Sequence, residues 1–255
     1  MASRVSRPAH PLVIAHRGAS AELPENTLPA YELALRQRSD MIEIDLHTTR
    51  DGVIVVSHDE SLERLGVGGE VADATLEEIR RLDAGGGARV PTLEEVLDAF
   101  GGRIPFNLEL KRSSRGEYPG MEAAAVEAVA RRGLLERTLF SSFYDSVLEV
   151  LRGVSLEVRI ALLISPRLPQ GAVERAQGVG AEALNPERSL VDPELVESAH
   201  GEGLAVYVFT VDDAEEMHRL LDLGVDGLFT NHPGRMRAIL ASREGGSRAG
   251  RRSLA

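Results

Sequence analysis

Residues 41–59 read Met-Ile-Glu-Ile-Asp-Leu-His-Thr-Thr-Arg-Asp-Gly-Val-Ile-Val-Val-Ser-His-Asp. Met41–Leu46 is a strand candidate, apolar except at Glu43 and Asp45. Residues two apart on a strand share a face, so the two carboxylates point together, with Met41, Ile42 and Ile44 as apolar context. A second apolar run, Val53–Ser57, begins after only Thr-Thr-Arg-Asp-Gly, which is too short for a parallel crossover. Asp51-Gly52 therefore predicts a hairpin turn, and Val53–Ser57 a short excursion that delivers His58-Asp59 at its end.

Working outward, similar runs recur at Leu12–Ala15, Phe106–Leu110, Thr138–Ser141, Arg159–Ile164, Glu182–Asn185, Ala205–Phe209 and Gly227–Thr230. Helical spacing fills most gaps, at Leu28–Arg36, Met121–Arg131, Ser146–Leu151, Pro193–Glu202 and Ala214–Leu223, with short helices at Thr75–Leu82 and Thr92–Phe100 after the excursion. Strand–helix alternation implies a parallel sheet. Eight such units in 255 residues predict an α/β protein, a single (β/α)8 TIM barrel with a small hairpin and helical insertion after the second strand. An open doubly wound sheet is the alternative, weakened because no G-x-G-x-x-G follows the first strand. The barrel domain is expected over 11–241. A disordered basic tail is expected over 242–255, where Gly, Ser and four arginines replace apolar residues.

A formal net charge of −11 opposes binding to nucleic acid or an anionic membrane. No apolar stretch approaches the roughly 18 residues of a membrane span, which predicts no stable membrane insertion and a cytoplasmic protein. Without cysteine, any metal must be held by oxygen or imidazole. The basic residues comprise 28 arginines and one lysine, Lys111, at the end of an apolar strand.

Ionisable residues gather at candidate strand ends: His16 and Arg17 after the first, Glu43 and Asp45 in the second, His58 after the excursion, Glu109 and Lys111 at the third. Three carboxylates converging inside a barrel repel one another unless a cation intervenes. All-oxygen ligation points to Mg²⁺ or Ca²⁺, and a barrel-interior salt bridge with Arg17 and Lys111 is the alternative. Two histidines beside such a centre suit acid–base chemistry on a phosphorylated substrate. His10, His47, His200, His218 and His232 are expected to be structural.

The ordered motifs A-H-R-G-A-S, P-E-N-T, I-E-I-D-L-H-T-T-R-D-G, V-V-S-H-D, P-T-L-E-E-V-L and N-L-E-L-K resemble glycerophosphodiester phosphodiesterases, as do V-F-T-V-D and G-V-D-G-L-F-T-N-H-P near the end. The resemblance runs from about Val13 to Pro233. It implies His16 and His58 as the acid–base pair, Glu43, Asp45 and Glu109 as ligands of a divalent metal, and Arg17 and Lys111 as phosphate ligands. It also implies hydrolysis of a small glycerophosphodiester to sn-glycerol 3-phosphate and an alcohol, with a glycerol hydroxyl as internal nucleophile through a cyclic phosphate, and hence a place in glycerol and lipid metabolism.

Three positions depart from the family's pattern. Phe209 stands where the family usually has Trp, Asp212 where Asn is common, and Arg38-Ser39-Asp40 where Gly-Ala-Asp is usual. Phe209 keeps an apolar ring against the substrate without the indole N–H. In Pro24-Glu25-Asn26-Thr27, Asn26 or Thr27 is expected to cap the first helix, with Pro29 in its first turn. Ser141, Phe143 and Asn185 are further candidates for the pocket. Two other functions fit the chain: a lysophospholipase D-like phosphodiesterase, which needs an apolar entrance, and a non-catalytic phosphodiester-binding barrel, which has no need of the full set of acids and histidines.

Overall fold

In the computed structural model, which describes residues 8–252, strand β1 (Leu12–His16) pairs in parallel with two neighbours at once. One is β2 (Met41–Thr48) and the other is β9 (Gly227–Thr230), and this double pairing closes the sheet. Between them run β4 (Phe106–Leu110), β5 (Thr138–Ser142), β6 (Arg159–Ile164), β7 (Ala183–Pro186) and β8 (Ala205–Val208), each parallel to the next. Among the described residues, β1, β2 and β4–β9 thus form an eight-stranded parallel (β/α) barrel. The remaining strand, β3 (Ile54–Val56), is antiparallel to β2, as the Asp51-Gly52 turn predicted, with Gly52 at φ +81°.

Helices α1 (Leu28–Arg36), α2 (Leu76–Ile79), α3 (Leu93–Phe100), α4 (Met121–Ala130), α5 (Asp145–Val154), α6 (Ala172–Gly178), α7 (Pro193–Gly201), α8 (Ala214–Asp222) and α9 (Pro233–Arg252) complete the chain. Thr27, and not Asn26, caps α1 by accepting the Ala30 N–H at 3.4 Å. Capping boxes Thr75/Glu78 and Thr92/Glu95 start α2 and α3, each satisfying two otherwise orphaned N–H groups. Helix α9 runs through part of the expected tail to Arg252, and residues 253–255 lie outside the described residues. Met236 and Leu240 bury the first half of α9, and once that half is anchored each further helical residue adds a hydrogen bond at low cost.

Strand alternation divides the core. Ile42, Ile44, Leu108, Leu162 and Val206 face outward under the helices, whereas Ile14, Met41, Leu139, Ala161, Ala183, Ala205, Tyr207 and Phe229 fill the barrel's lower interior. Of the apolar neighbours of the two β2 acids, Met41 therefore shares their face and Ile42 and Ile44 do not. Above the apolar floor the inward positions turn polar, and catalytic sites of such barrels lie at this carboxyl-terminal end.

Two backbone features with positive φ lie at opposite ends of β1. A Cβ at Gly18, φ +87°, would lie 2.7 Å from the Ala30 carbonyl carbon, so only glycine lets α1 approach the β1 loop this closely. Arg38, in place of the family's usual Gly, adopts φ +62°, a conformation costing an L residue about 1 kcal/mol. Its carbonyl accepts the Arg237 Nε–H at 2.9 Å, and Asp40 takes both the Val13 N–H at 2.8 Å and Arg237 Nη2 at 2.7 Å. The departure at 38–40 thus sits in a joint between α9 and the first two strands.

Candidate active site

Three carboxylates meet on the inner face of the barrel, Glu43 and Asp45 from β2 and Glu109 from β4, with one oxygen of each within 4.8 Å of the others. All three side chains are buried. Asp45 Oδ2 receives Arg17 Nε at 3.0 Å and Asn26 Nδ2 at 2.8 Å, while its Oδ1 meets Lys111 Nζ at 2.8 Å. The same ammonium lies 2.5 Å from Glu109 Oε1. The Arg17 backbone N–H donates to Glu43 Oε2 at 2.9 Å, and its guanidinium reaches Glu25 at 3.1 Å. Both Arg17 and Asn26 hold left-handed backbone conformations, φ +59° and +57°, the kind of strain that clusters at functional sites.

Two cations do not neutralise three acids, and the deficit falls on Glu43. Its Oε1 is buried without a hydrogen bond or an ion pair among the described residues. Burial, reinforced by Asp45 and Glu109, pushes the Glu43 carboxyl well above its ordinary range. Burial also raises Glu109, against the pull of Lys111. Burial works in the same direction on Asp45, but Lys111 and Arg17 outweigh it and hold that group below the usual carboxylate range. Burial opposes the charge on Lys111, yet Asp45 and Glu109 keep it protonated. A convergent all-oxygen set with an unsatisfied carboxylate oxygen fits a hard divalent cation. The alternative salt bridge of Asp45 and Glu109 with Arg17 and Lys111 is present too, but it leaves Glu43 unanswered.

His16 and His58 line the same cavity as Glu43, Glu109, Arg17 and Lys111, a space of about 190 Å³. His16 Nδ1 is 2.8 Å from Asn231 Oδ1, an acceptor, so Nδ1 carries the proton and Nε2 remains for the cavity. Burial, with help from Arg17, pushes its pKa down to about 4 and keeps the ring neutral. His58 is half-buried, and its Nδ1 contacts the Asp59 carboxylate at 2.7 Å. Burial lowers His58 too, while Asp45 and Asp59 favour its charged form. His47 is different: Nε2 donates to the His58 carbonyl at 3.2 Å and Nδ1 accepts the Tyr118 hydroxyl at 2.7 Å. Its two ring nitrogens thereby tie the His58 backbone to Tyr118. Of the other histidines, His200 is tied to Asp226 at 2.8 Å and His218 contacts Arg243 at 3.2 Å.

The opposite wall is apolar. Leu163, Phe143, Phe209 and Phe229 line it, with Phe209 edge-on to Phe143 at 5.7 Å and to Phe229 at 6.5 Å. Ser141 lines the cavity and accepts Asn107 Nδ2 at 2.6 Å. Asn185 is fully buried opposite Leu163 in the register of β6 and β7, with both amide atoms unpartnered among the described residues. The structure therefore brings together all eight residues singled out from the sequence: His16, Arg17, Glu43, Asp45, His58, Glu109, Lys111 and Phe209. It adds Asn26, which binds Asp45 and takes the Tyr31 hydroxyl at 2.9 Å. Asn107 precedes Glu109 by two on one strand face, a spacing that signals its place. Asn231 carries no such signal, because its partner is 215 residues away.

The sequence profile of the Glycerophosphoryl diester phosphodiesterase family matches residues 16–235. A glycerophosphodiester phosphodiesterase of Caldanaerobacter subterraneus is 38% identical, the alignment covering 87% of this chain and 94% of the relative. One from Bacillus subtilis is 35% identical over 87% and 84% of the two chains. Among solved structures, an Oleispira antarctica phosphodiesterase in complex with the product sn-glycerol-3-phosphate superposes with a TM-score of 0.80 at 31% identity, covering 90% of this chain and 96% of its own. A glycerophosphodiester phosphodiesterase from Agrobacterium tumefaciens gives a TM-score of 0.77 at 28% identity over 88% and 98%.

Proposed function

Because this chain belongs to the glycerophosphoryl diester phosphodiesterase family, we propose that it hydrolyses small glycerophosphodiesters to sn-glycerol 3-phosphate and an alcohol. The observation that carries the reading is the juxtaposition, in one cavity, of two histidines bonded through Nδ1, two cations and a convergent acidic triad. The phosphodiesterase from Oleispira antarctica that binds sn-glycerol-3-phosphate supports the product.

Glu43, Asp45 and Glu109 would hold the divalent ion, Mg²⁺ or Ca²⁺. When bound, it supplies Lewis-acid polarisation of the phosphoryl group and offsets the acids' charge. Arg17 and Lys111 hold phosphate oxygens as charge accumulates in the transition state. Neutral His16 takes the proton of the attacking glycerol hydroxyl as that oxygen bonds to phosphorus. The bond from phosphorus to the departing alcohol breaks, and His58, whose charged form Asp59 supports, gives that oxygen its proton. The histidines then exchange roles: His58 takes a proton from water as the water oxygen bonds to phosphorus, and His16 returns one to the glycerol oxygen released from the cyclic phosphate.

The phenylalanine wall, with Phe209 at its centre, would pack against the carbon skeleton of the substrate. A cavity of about 190 Å³ is below the 300–1,000 Å³ typical of sites for drug-sized ligands, which favours a small polar diester over an acylated one. Among the described residues no helix is long and apolar enough to cross a membrane. The purified protein should release sn-glycerol 3-phosphate from a panel of glycerophosphodiesters at least about tenfold faster than lysophosphatidate from lysophospholipids, assayed by coupled detection of each product. Preference for lysophospholipids would establish a lysophospholipase D-like enzyme, and no turnover of either class a non-catalytic binding barrel.

Lys111 offers a sharper test. Its ammonium is a compact charge wedged between Asp45 and Glu109, where a planar guanidinium would compete with metal and phosphate for space. Lys111→Arg should therefore lower kcat/KM by about tenfold or more, the worth of one charged hydrogen bond, although charge is conserved. Wild-type kcat/KM would remove Lys111 from the phosphate site and leave Arg17 as its assigned cation.

A further inference from the structure

His16 is held in place by a relay that neither the acids nor the phosphate cations require. The Asp212 carboxylate, in the loop after β8, accepts the Asn231 backbone N–H on Oδ1 at 2.8 Å and the Thr230 hydroxyl on the same oxygen at 3.0 Å. Its Oδ2 faces Asn231 Nδ2 at 2.7 Å. An ionised carboxylate only accepts, so the amide must turn its NH₂ toward Asp212 and its carbonyl toward His16. The Ser20 hydroxyl also lies 2.7 Å from that carbonyl oxygen. Turned the other way, Asn231 would set two acceptor oxygens against each other at Asp212 and face His16 Nδ1 with a donor.

We propose that Asn231 and Asp212 are positioning residues that lock His16 in the Nδ1-protonated tautomer, with the Nε2 lone pair aimed at the attacking hydroxyl. Asp212 sets the orientation of the amide, and the amide sets the tautomer. The neutral amide does this without placing a second negative charge against the ring, so the imidazole is oriented but not held as imidazolium. A carboxylate at position 212, where the family commonly has Asn, makes the orientation one-sided, since a carboxylate cannot donate. The inference rests on the reading of His16 as proton acceptor, and its experiment keeps the two separable.

The tautomer is read directly from ¹⁵N NMR shifts of His16 in the metal-loaded enzyme, alongside steady-state kinetics. Wild type should show Nδ1–H. Asn231→Ala should move His16 toward Nε2–H and lower kcat by about tenfold or more with little change in KM. Asn231→Asp alone places two carboxylates in contact and should be impaired as well. Combining it with Asp212→Asn exchanges the two groups while preserving every hydrogen bond, and should restore the Nδ1–H tautomer, while the carboxylate now against the ring favours imidazolium and shifts the pH profile of kcat upward. Failure of that pair to restore the Nδ1–H tautomer in the neutral ring, or a wild-type His16 carrying its proton on Nε2, overturns the relay. Unchanged kcat and tautomer in Asn231→Ala, with His16→Ala inactive, overturns the relay alone. An active His16→Ala overturns the proton-acceptor reading, while the spectrum still decides what fixes the ring.

Discussion

His16→Ala and His58→Ala should each lower kcat by about 10²-fold or more, the usual contribution of a positioned proton donor or acceptor. The two rings differ in their surroundings. His16 is partly buried, neutral and bonded to an amide, whereas His58, also partly buried, is bonded to a carboxylate. His47→Ala is the control. Its imidazole spends both nitrogens on Tyr118 and the His58 carbonyl, so its loss should lower the melting temperature while kcat falls far less than in the other two variants. Equal losses at all three positions would mean that the catalytic and structural histidines are wrongly separated.

Chelation with EDTA should abolish turnover, and added Mg²⁺ or Ca²⁺ should restore it, because no further cation among the described residues lining the cavity answers the third negative charge. Full activity in chelator would sink the metal site. Glu43→Gln separates the two sides of the same interaction. The ionised Glu43 is disfavoured by burial and by two neighbouring acids, and an amide of equal shape removes that repulsion. The metal-free variant should therefore melt no lower than the metal-free wild type, yet need more metal for half-maximal activity. Glu109→Gln should likewise lose metal affinity without unfolding. Wild-type metal titrations in both variants would show the ligands to be misassigned.

The barrel was legible because parallel strands buried on both faces read as short apolar runs, and Arg159–Ile164 and Gly227–Thr230 match their strands residue for residue. The acids were legible because strand alternation places Glu43 with Asp45 and Glu109 with Lys111. Asn26 was harder: P-E-N-T starts a helix, and a cap is the ordinary use of Asn there. Nothing local reveals that the chain turns left-handed at Asn26 and sends its side chain to Asp45 instead. Asp212 was visible only as a departure from the family's usual Asn and Asn231 only as part of a motif, and their pairing with His16 emerges once β8, β9 and β1 stand side by side. Helix α6, Ala172–Gly178, escaped for another reason: it is short, starts after a glycine, and carries too few apolar residues to set a period.

The seam between β1 and β9 bears on how this protein is made. Synthesis delivers β1 first and β9 last, so the first strand must wait with one edge unpaired until nearly the whole chain has been translated. His16, Arg17 and the three acids all leave the ribosome long before Asn231, 215 residues after His16, can reach the histidine. The nascent chain therefore carries these groups in an unfinished cavity until the last strand closes the barrel.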